Sequence, residues 1–192
     1  YNQIQNIEIN FKSRIEIITN TVDTNNFIPG DKKKIRSELK LPMDSTILLT
    51  CSMGFKHNPY KDIDTLLMAF NKIEEEYKCN DKNILLVILG EKGDNYNLQN
   101  NDNIIFTNQI FNKNILLNYY QSADLYINSS HIETWGLTIS EALSTGLPVI
   151  ATAVGGVPEQ LKGYKYNLNN DLNKFDIEQA NGVLFERENI NS

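Results

Sequence analysis

The sequence predicts an α/β protein built on an open parallel sheet. Three observations carry this reading. Short apolar runs alternate with helical patterns from one end of the chain to the other. Several runs are continuous, Ile84-Leu-Leu-Val-Ile-Leu89 above all, as in strands covered on both faces. Glycine and proline fall where helices close and strands begin, Gly146 and Pro148 among them.

Taken in order, strands are predicted over residues 14–20, 46–52, 84–90, 103–107, 124–129 and 148–152. The clearest helix spans residues 63–77, with Ile63, Leu66, Leu67, Phe70, Ile73 and Tyr77 along one stripe and Asp64, Asn71, Lys72 and Glu75 opposite. A second covers 114–122, presenting Ile115, Leu116, Tyr119 and Tyr120. A third opens at Gly136, includes Glu141 and closes at Thr145-Gly146, where glycine suits the position after a helix end. Gly155-Gly156 lead into a fourth, with Pro158 in its first turn. Residues 94–103 and 164–176 are polar and Asn-rich and read as surface loops. No internal repeat is present. The 192 residues suffice for one sizeable domain and not for two.

Composition narrows the function classes. An apolar fraction of 41% with 22% charged residues is that of an ordinary globular chain. A net charge of −6 argues against a nucleic-acid partner. The one basic run, Lys32-Lys33-Lys34, precedes a helical pattern and reads as a solvated helix face. No apolar run is long enough to cross a bilayer, and no signal-peptide pattern opens the chain. The start on Tyr1, in polar sequence, suggests a piece of something longer. Cys51 and Cys79 lack both a disulfide framework and metal-ligand spacing, so free thiols and a cytoplasmic setting are expected. His57 and His131, the only histidines, lie far apart, and no metal site is expected. Asp62-Ile-Asp64 has the form of a metal-binding pair, but Asp62 is well placed to cap the helix that begins at Ile63, with Asp64 in its first turn.

Ligands on open parallel sheets bind at the carboxyl ends of the strands. The stretch from Asn128 to Glu159 lies at such an end. A strand runs into a short loop carrying Glu133, and Gly136 then opens the helix of Glu141. A helix N-terminus offers unpaired N–H groups and the positive end of its dipole, and glycine permits close approach, so the arrangement suits a diphosphate. Ionised carboxylates only accept hydrogen bonds and so match paired sugar hydroxyls. One carboxylate on the ribose and one on a transferred sugar, with phosphates between them, make a coherent site. Two glutamates eight positions apart carry no weight alone, since a helical Glu is most often a solvated face residue. The surrounding string carries the reading.

That string, Glu133-Thr-Trp-Gly136-Leu137, Glu141-Ala142, Gly146-Leu-Pro148-Val149 and Gly155-Gly156, resembles the signature of glycosyltransferase family 4, whose members have the two-domain GT-B architecture. Trp135 stands where Phe is usual and is expected to pack beneath the site. Further matches follow the family order: Asn20-Thr-Val-Asp23 to Phe27-Ile-Pro29, residues 104–107 with Asn108-Gln109-Ile110, Tyr119-Tyr120-Gln-Ser-Ala123-Asp124, and a closing Asn181-Gly182-Val183-Leu184 turn. The likeness covers nearly the whole chain and is weakest at 91–101 and 163–178.

The resemblance implies a sheet with Rossmann-like winding, one half of a GT-B fold, with residues 1–192 forming the C-terminal, donor-binding domain. It implies transfer of a hexose-type sugar from a nucleoside-diphosphate sugar, a UDP- or GDP-sugar, with retention, in glycan, polysaccharide or glycolipid synthesis. No cofactor or essential metal is implied. The sugar or lipid-linked acceptor would bind the absent N-terminal half, through which peripheral membrane contact could arise, and the fragment alone would be inactive. Glu133 and Lys61 are the implied catalytic groups. Lys56, Gln109, Ile110, Trp135, Gly136, Leu137, Thr138 and Glu141 are the implied donor-binding residues. The family's Arg has no clear counterpart, and Lys56 is its nearest stand-in, ahead of His57. Lysine lacks the bidentate fork of Arg. The competing reading for each lysine is a surface residue of a mobile loop, and it weighs more against Lys56 than against Lys61. A GT-B-like epimerase or phosphorylase, or a noncatalytic nucleotide-binding module, are the competing readings.

Overall fold

The computed structural model describes residues 16, 18–52, 54–55, 58–93, 96, 101–161, 163–166 and 180–185. Its elements run α1 (Lys32–Glu38), β1 (Ser45–Cys51), α2 (Ile63–Cys79), β2 (Asn83–Leu89), β3 (Ile104–Thr107), α3 (Lys113–Ser122), β4 (Leu125–Asn128), α4 (Leu137–Ser144), β5 (Val149–Thr152), α5 (Val157–Gln160), β6 (Gly163–Tyr166) and β7 (Gly182–Phe185). The strands form one sheet in the order β3-β2-β1-β4-β5-β7-β6, every pairing parallel. This is the predicted open parallel α/β sheet.

The continuous apolar strands are explained by cover on both faces. Ile47 and Leu49 of β1, with Leu85, Val87 and Leu89 of β2, join a core beneath Tyr120 of α3 and Ile139 and Ala142 of α4. The alternate residues Leu48, Ile84, Leu86 and Ile88 face Ile63, Leu66, Leu67 and Phe70 of α2. The predicted stripe of α2 is therefore its buried face. Asp62 caps this helix by accepting from the Thr65 N–H at 3.0 Å, Asp31 caps α1 through Lys34, and Asn112 caps α3.

Three expectations need correction. Residues 14–20 were expected to form a strand, but Glu16 and residues 18–20 are not in strand conformation, and Ile18 is 87% exposed. An apolar residue left in water has no burial to hold it in register. Residues 14, 15 and 17 lie outside the described residues. The loop expected over 164–176 begins instead within β6, and the expected closing turn at Asn181–Leu184 is largely β7, which pairs with β5 along Val149–Thr152. Both segments are too short and too glycine-marked to show a period, and pairing of β7 with β5 and of β6 with β7 supplies what local sequence lacks.

The sheet is pinned from below. The Arg36 side chain is buried, its Nη2 reaching Asp124 Oδ2 at 2.5 Å while Nε donates to the Ser122 carbonyl at 2.8 Å and Nη1 to that of Ser45 at 3.0 Å. Asp124 also accepts from the Ile47 N–H at 2.8 Å and from Lys32 at 2.8 Å. Burial alone would raise the Asp124 carboxyl, but the Ile47 amide and the Lys32 and Arg36 side chains outweigh it and hold it below the ordinary value. The basic run is thus only partly a solvated face: Lys34 reaches Glu38 in the open, whereas Lys32 serves the anchor at the start of β4.

Candidate functional site

Chain order reverses between β1 and β4. The path steps outward from β1 to β2 to β3, and α3 then returns it to β4 on the other side of β1. Such a switch point opens a crevice at the carboxyl ends of the strands it separates. A cavity of about 410 Å³ lies there, lined by Cys51 and Ser52 at the end of β1, Asn58 and Lys61 from the turn before α2, residues 133–138 from the turn into α4, and Asn20.

The loops that form it are tied together. Lys61 and Ser130 make an antiparallel bridge, and the His131 N–H donates to the Tyr60 carbonyl at 2.7 Å. Ser129 Oγ donates to the Asp62 carbonyl at 2.6 Å, and His131 Nε2 lies 3.2 Å from Asp62 Oδ2. The loop after β1 is therefore braced against the loop after β4. The bracing delivers Lys61 Nζ to Glu133 Oε2 at 2.5 Å and to Ser130 Oγ at 3.0 Å, with side chains only 19% and 17% exposed. A largely buried ammonium and a largely buried carboxylate thus neutralise one another at the cavity wall.

Helix α4 starts beside this pair. Gly136 takes φ 86° and ψ 67°, a left-handed conformation costly for residues with a Cβ, and no side chain caps the helix. The Ile139 and Ser140 N–H groups turn back to the Gly136 carbonyl. Those of Leu137 and Thr138 have no backbone partner among the described residues, and both residues line the cavity. The Gly155-Gly156 turn runs directly under the Glu133–Trp135 loop. A Cβ on Gly155, at φ +55°, would strike the Glu133 carbonyl, and one on Gly156 would strike the Trp135 ring and the Thr134 carbonyl. Gln160 of α5 closes the underside, donating to the Trp135 carbonyl and accepting from Ser140 Oγ at 2.7 Å. Trp135 is therefore seated on the glycine turn and contributes to the cavity wall.

Glu141 does not line this cavity. It sits along α4 from the helix start, its Oε2 accepting from the Tyr120 hydroxyl at 2.7 Å. Burial raises its pKa above the ordinary value, the Tyr120 hydrogen bond and the Lys113 charge offsetting only part of that. Lys113, whose charge acts on Glu141, opens α3 three residues after Ile110. Gln109 is exposed and Ile110 packs against the core, neither lining the cavity. The structure thus gathers Lys61, Glu133, Trp135, Gly136, Leu137 and Thr138 around one space, and Glu141, Gln109 and Ile110 are not part of its lining. Lys56 lies outside the described residues, as does His57. Asn20, Cys51, Ser52, Asn58 and Thr134 were not anticipated at the wall; Asn20 carried a signal as the opening residue of the Asn-Thr-Val-Asp motif, and Thr134 as a member of the Glu133-Thr-Trp-Gly136 string.

A cation and uncapped helix amides at a sheet switch point, with a carboxylate against them, define an α/β domain whose crevice suits an anionic ligand. The comparisons give the family. The model for glycosyl transferases group 1 matches residues 31–191, and the chain belongs to that family. It is 30% identical over 156 residues to D-inositol 3-phosphate glycosyltransferase 2 of Catenulispora acidiphila, covering 75% of this chain and 36% of that protein. Among solved structures it is similar to the sucrose-phosphate synthase of Thermosynechococcus elongatus, with a TM-score of 0.58 and 29% identity over 71% of this chain and 34% of the other. Its fold also matches the C-terminal domain of the glycosyl transferase group 1 protein LpcC from Francisella tularensis, with a TM-score of 0.57 and 23% identity, covering 72% of this chain and 73% of that one. The chain spans about a third of the length of the curated relative. Among the described residues, no helix is long and apolar enough to cross a membrane.

Proposed function

We propose that this chain is the donor-binding half of a family 4, GT-B glycosyltransferase that moves a hexose-type sugar from a UDP- or GDP-sugar to an acceptor, with retention. The observation that carries the reading is the Lys61–Glu133 pair set against the open N-terminus of α4. When the bond between the sugar and the diphosphate breaks, negative charge grows on the leaving phosphate oxygen. In this reading Lys61 and the Leu137 and Thr138 amides, from residues that line the cavity, would stabilise that charge, the main electrostatic demand of such a reaction. Because these groups supply the positive potential, the reading invokes no essential metal and no cofactor. Lys56 belongs to the same proposal as a further phosphate contact.

Glu133 would then turn from Lys61 to hydroxyls of the donor sugar, while Glu141 would take the ribose and the Gln109–Ile110 turn the base. The acceptor would be held by a second domain outside this chain, in a cytoplasmic setting. The exposed rim of Tyr60, Ile132 and Leu137 supports a cover of that kind. Without it the reacting atoms are neither positioned nor shielded from water, so this chain alone would bind a nucleotide and transfer nothing.

Calorimetry with UDP, GDP and the matching sugar nucleotides tests the assignment. Glu141→Ala should weaken bare diphosphate and sugar nucleotide alike, by about 1–3 kcal/mol for lost charge-assisted hydrogen bonds. Glu133→Ala should weaken the sugar nucleotide selectively. Equal loss of the bare diphosphate in both variants would overturn these roles.

A further inference from the structure

A buried polar cluster beneath α4 bears on how Glu141 is held. Tyr120 of α3 is 1% exposed, yet its hydroxyl donates to Glu141 Oε2 at 2.7 Å. Its ring is fixed by Phe27, edge-on at 6.0 Å between centroids, and by Tyr126 at 5.8 Å. Tyr126, itself fully buried, donates to the Cys51 carbonyl at 3.4 Å. One carboxylate oxygen of Glu141 is therefore tied to a rigid aromatic floor. The other, Oε1, makes no hydrogen bond among the described residues.

We infer that Tyr120 is a positioning residue for nucleotide binding: its hydroxyl fixes the Glu141 carboxylate so that Oε1 is presented to the ribose hydroxyls. This rests on the ribose-binding reading of Glu141. A glutamate side chain has three rotatable bonds, and anchoring one oxygen beforehand removes much of the ordering that a ligand would otherwise impose. The bond also favours the ionised form, the only one that accepts two hydroxyl donors at full strength. The groups facing Glu141 are few. Tyr120 and Lys113 act on it from α3, while Cys51 of β1 and Tyr126 of β4 face it with pKa values raised, so both are neutral near pH 7. Strand β5 brings no titratable side chain and α5 only Glu159. Burial is the main cause of the raised Glu141 pKa, and the Tyr120 bond is its largest counterweight. Losing the hydroxyl should therefore push the pKa higher.

The test is calorimetric binding of UDP, GDP and ADP by the protein across pH 4–8, with Tyr120→Phe, Glu141→Gln and the double variant. Tyr120→Phe keeps the ring. It should raise Kd roughly tenfold near neutral pH, the scale of one lost hydrogen bond to a charged group. The acidic fall-off of binding should also move to higher pH. In the Glu141→Gln background, adding Tyr120→Phe should change Kd by less than about twofold. Replacing Tyr120 with 3-fluorotyrosine keeps the packing, strengthens the donor and should move the acidic fall-off the other way, so the inference stays testable if Tyr120→Phe folds poorly. If Tyr120→Phe weakens binding equally in both backgrounds with an unmoved pH profile, Tyr120 is merely structural and the inference fails. If Glu141→Gln weakens binding but neither Tyr120 variant alters Kd or the pH profile, the inference fails while the ribose reading stands. If Glu141→Gln itself binds as the parent does, the ribose reading fails and takes the inference with it.

Discussion

Breaking the Lys61–Glu133 pair tests both the energetics of the cavity wall and the order of events when a donor enters. The two groups meet at 2.5 Å with less than a fifth of either side chain in water. Removing one partner of a fully buried pair costs about 3–5 kcal/mol, because the survivor remains charged and desolvated. Here each survivor keeps some solvent and one hydrogen bond, Lys61 to Ser130 and Glu133 to the Thr134 N–H. Each of Glu133→Ala and Lys61→Ala is accordingly expected to cost about 2 kcal/mol, or about 4–8 °C in Tm for a chain of this size. The double variant leaves no orphaned charge and should cost no more than either single change, so the coupling energy should be about 2 kcal/mol. Urea unfolding of the four proteins measures it. The same proteins should separate in binding, because Glu133→Ala releases Lys61 to the phosphates. Its affinity for a bare nucleoside diphosphate should hold or rise, while Lys61→Ala should lose about tenfold or more. Costs that add to within about 0.5 kcal/mol, together with equal affinities for the diphosphate, would refute the picture of a pair that opens to admit the donor.

Further outcomes are expected. Asp124→Asn should cost about 2–3 kcal/mol, since it leaves buried Arg36 without its counter-ion. Because the folded Asp124 carboxyl lies below its ordinary value of 3.8, its stabilisation is complete above that value and lost as pH falls below it. Acid unfolding of parent and Asp124→Asn should therefore converge at low pH, and parallel curves down to pH 2 would contradict this. Cys51, pushed up to about 12 mainly by burial, should resist a thiol reagent at pH 8 in the folded protein, whereas exposed Cys79 should react at once; both should titrate after denaturation without reductant. Gly155→Ala should cost at least about 1 kcal/mol from its left-handed backbone alone and should also weaken sugar-nucleotide binding, because the new Cβ displaces the Glu133 carbonyl. Unchanged binding by calorimetry would show that the turn does not support the loop.

The sequence by itself determined the parallel α/β class, the order of the elements from β1 to α5, and the loop-helix segment that bears Glu133, Gly136 and Glu141. Those features are local: apolar runs of strand length, an amphipathic period in α2, Asp62 as a cap, and glycine at helix ends all act within a few residues. What depended on distant partners was not legible. β6 and β7 exist because β5 pairs with β7, and no four-residue run announces such pairing. Residues 18–20 looked like the end of a strand, but a run of suitable residues becomes one only when an edge is there to receive it. Lys32 and Arg36 belong to a basic helix in the sequence, and only folding across some 90 positions brings them to Asp124. The cavity wall follows the same rule. Lys61 and Glu133 stand 72 positions apart and Tyr120 and Glu141 stand 21 apart, so their contacts depend on strand order and on the bracing of two loops. Residue types and local spacing place chemistry on an element, whereas the pairing that sets a charge, a hydrogen bond or a pKa is a property of the packed structure alone.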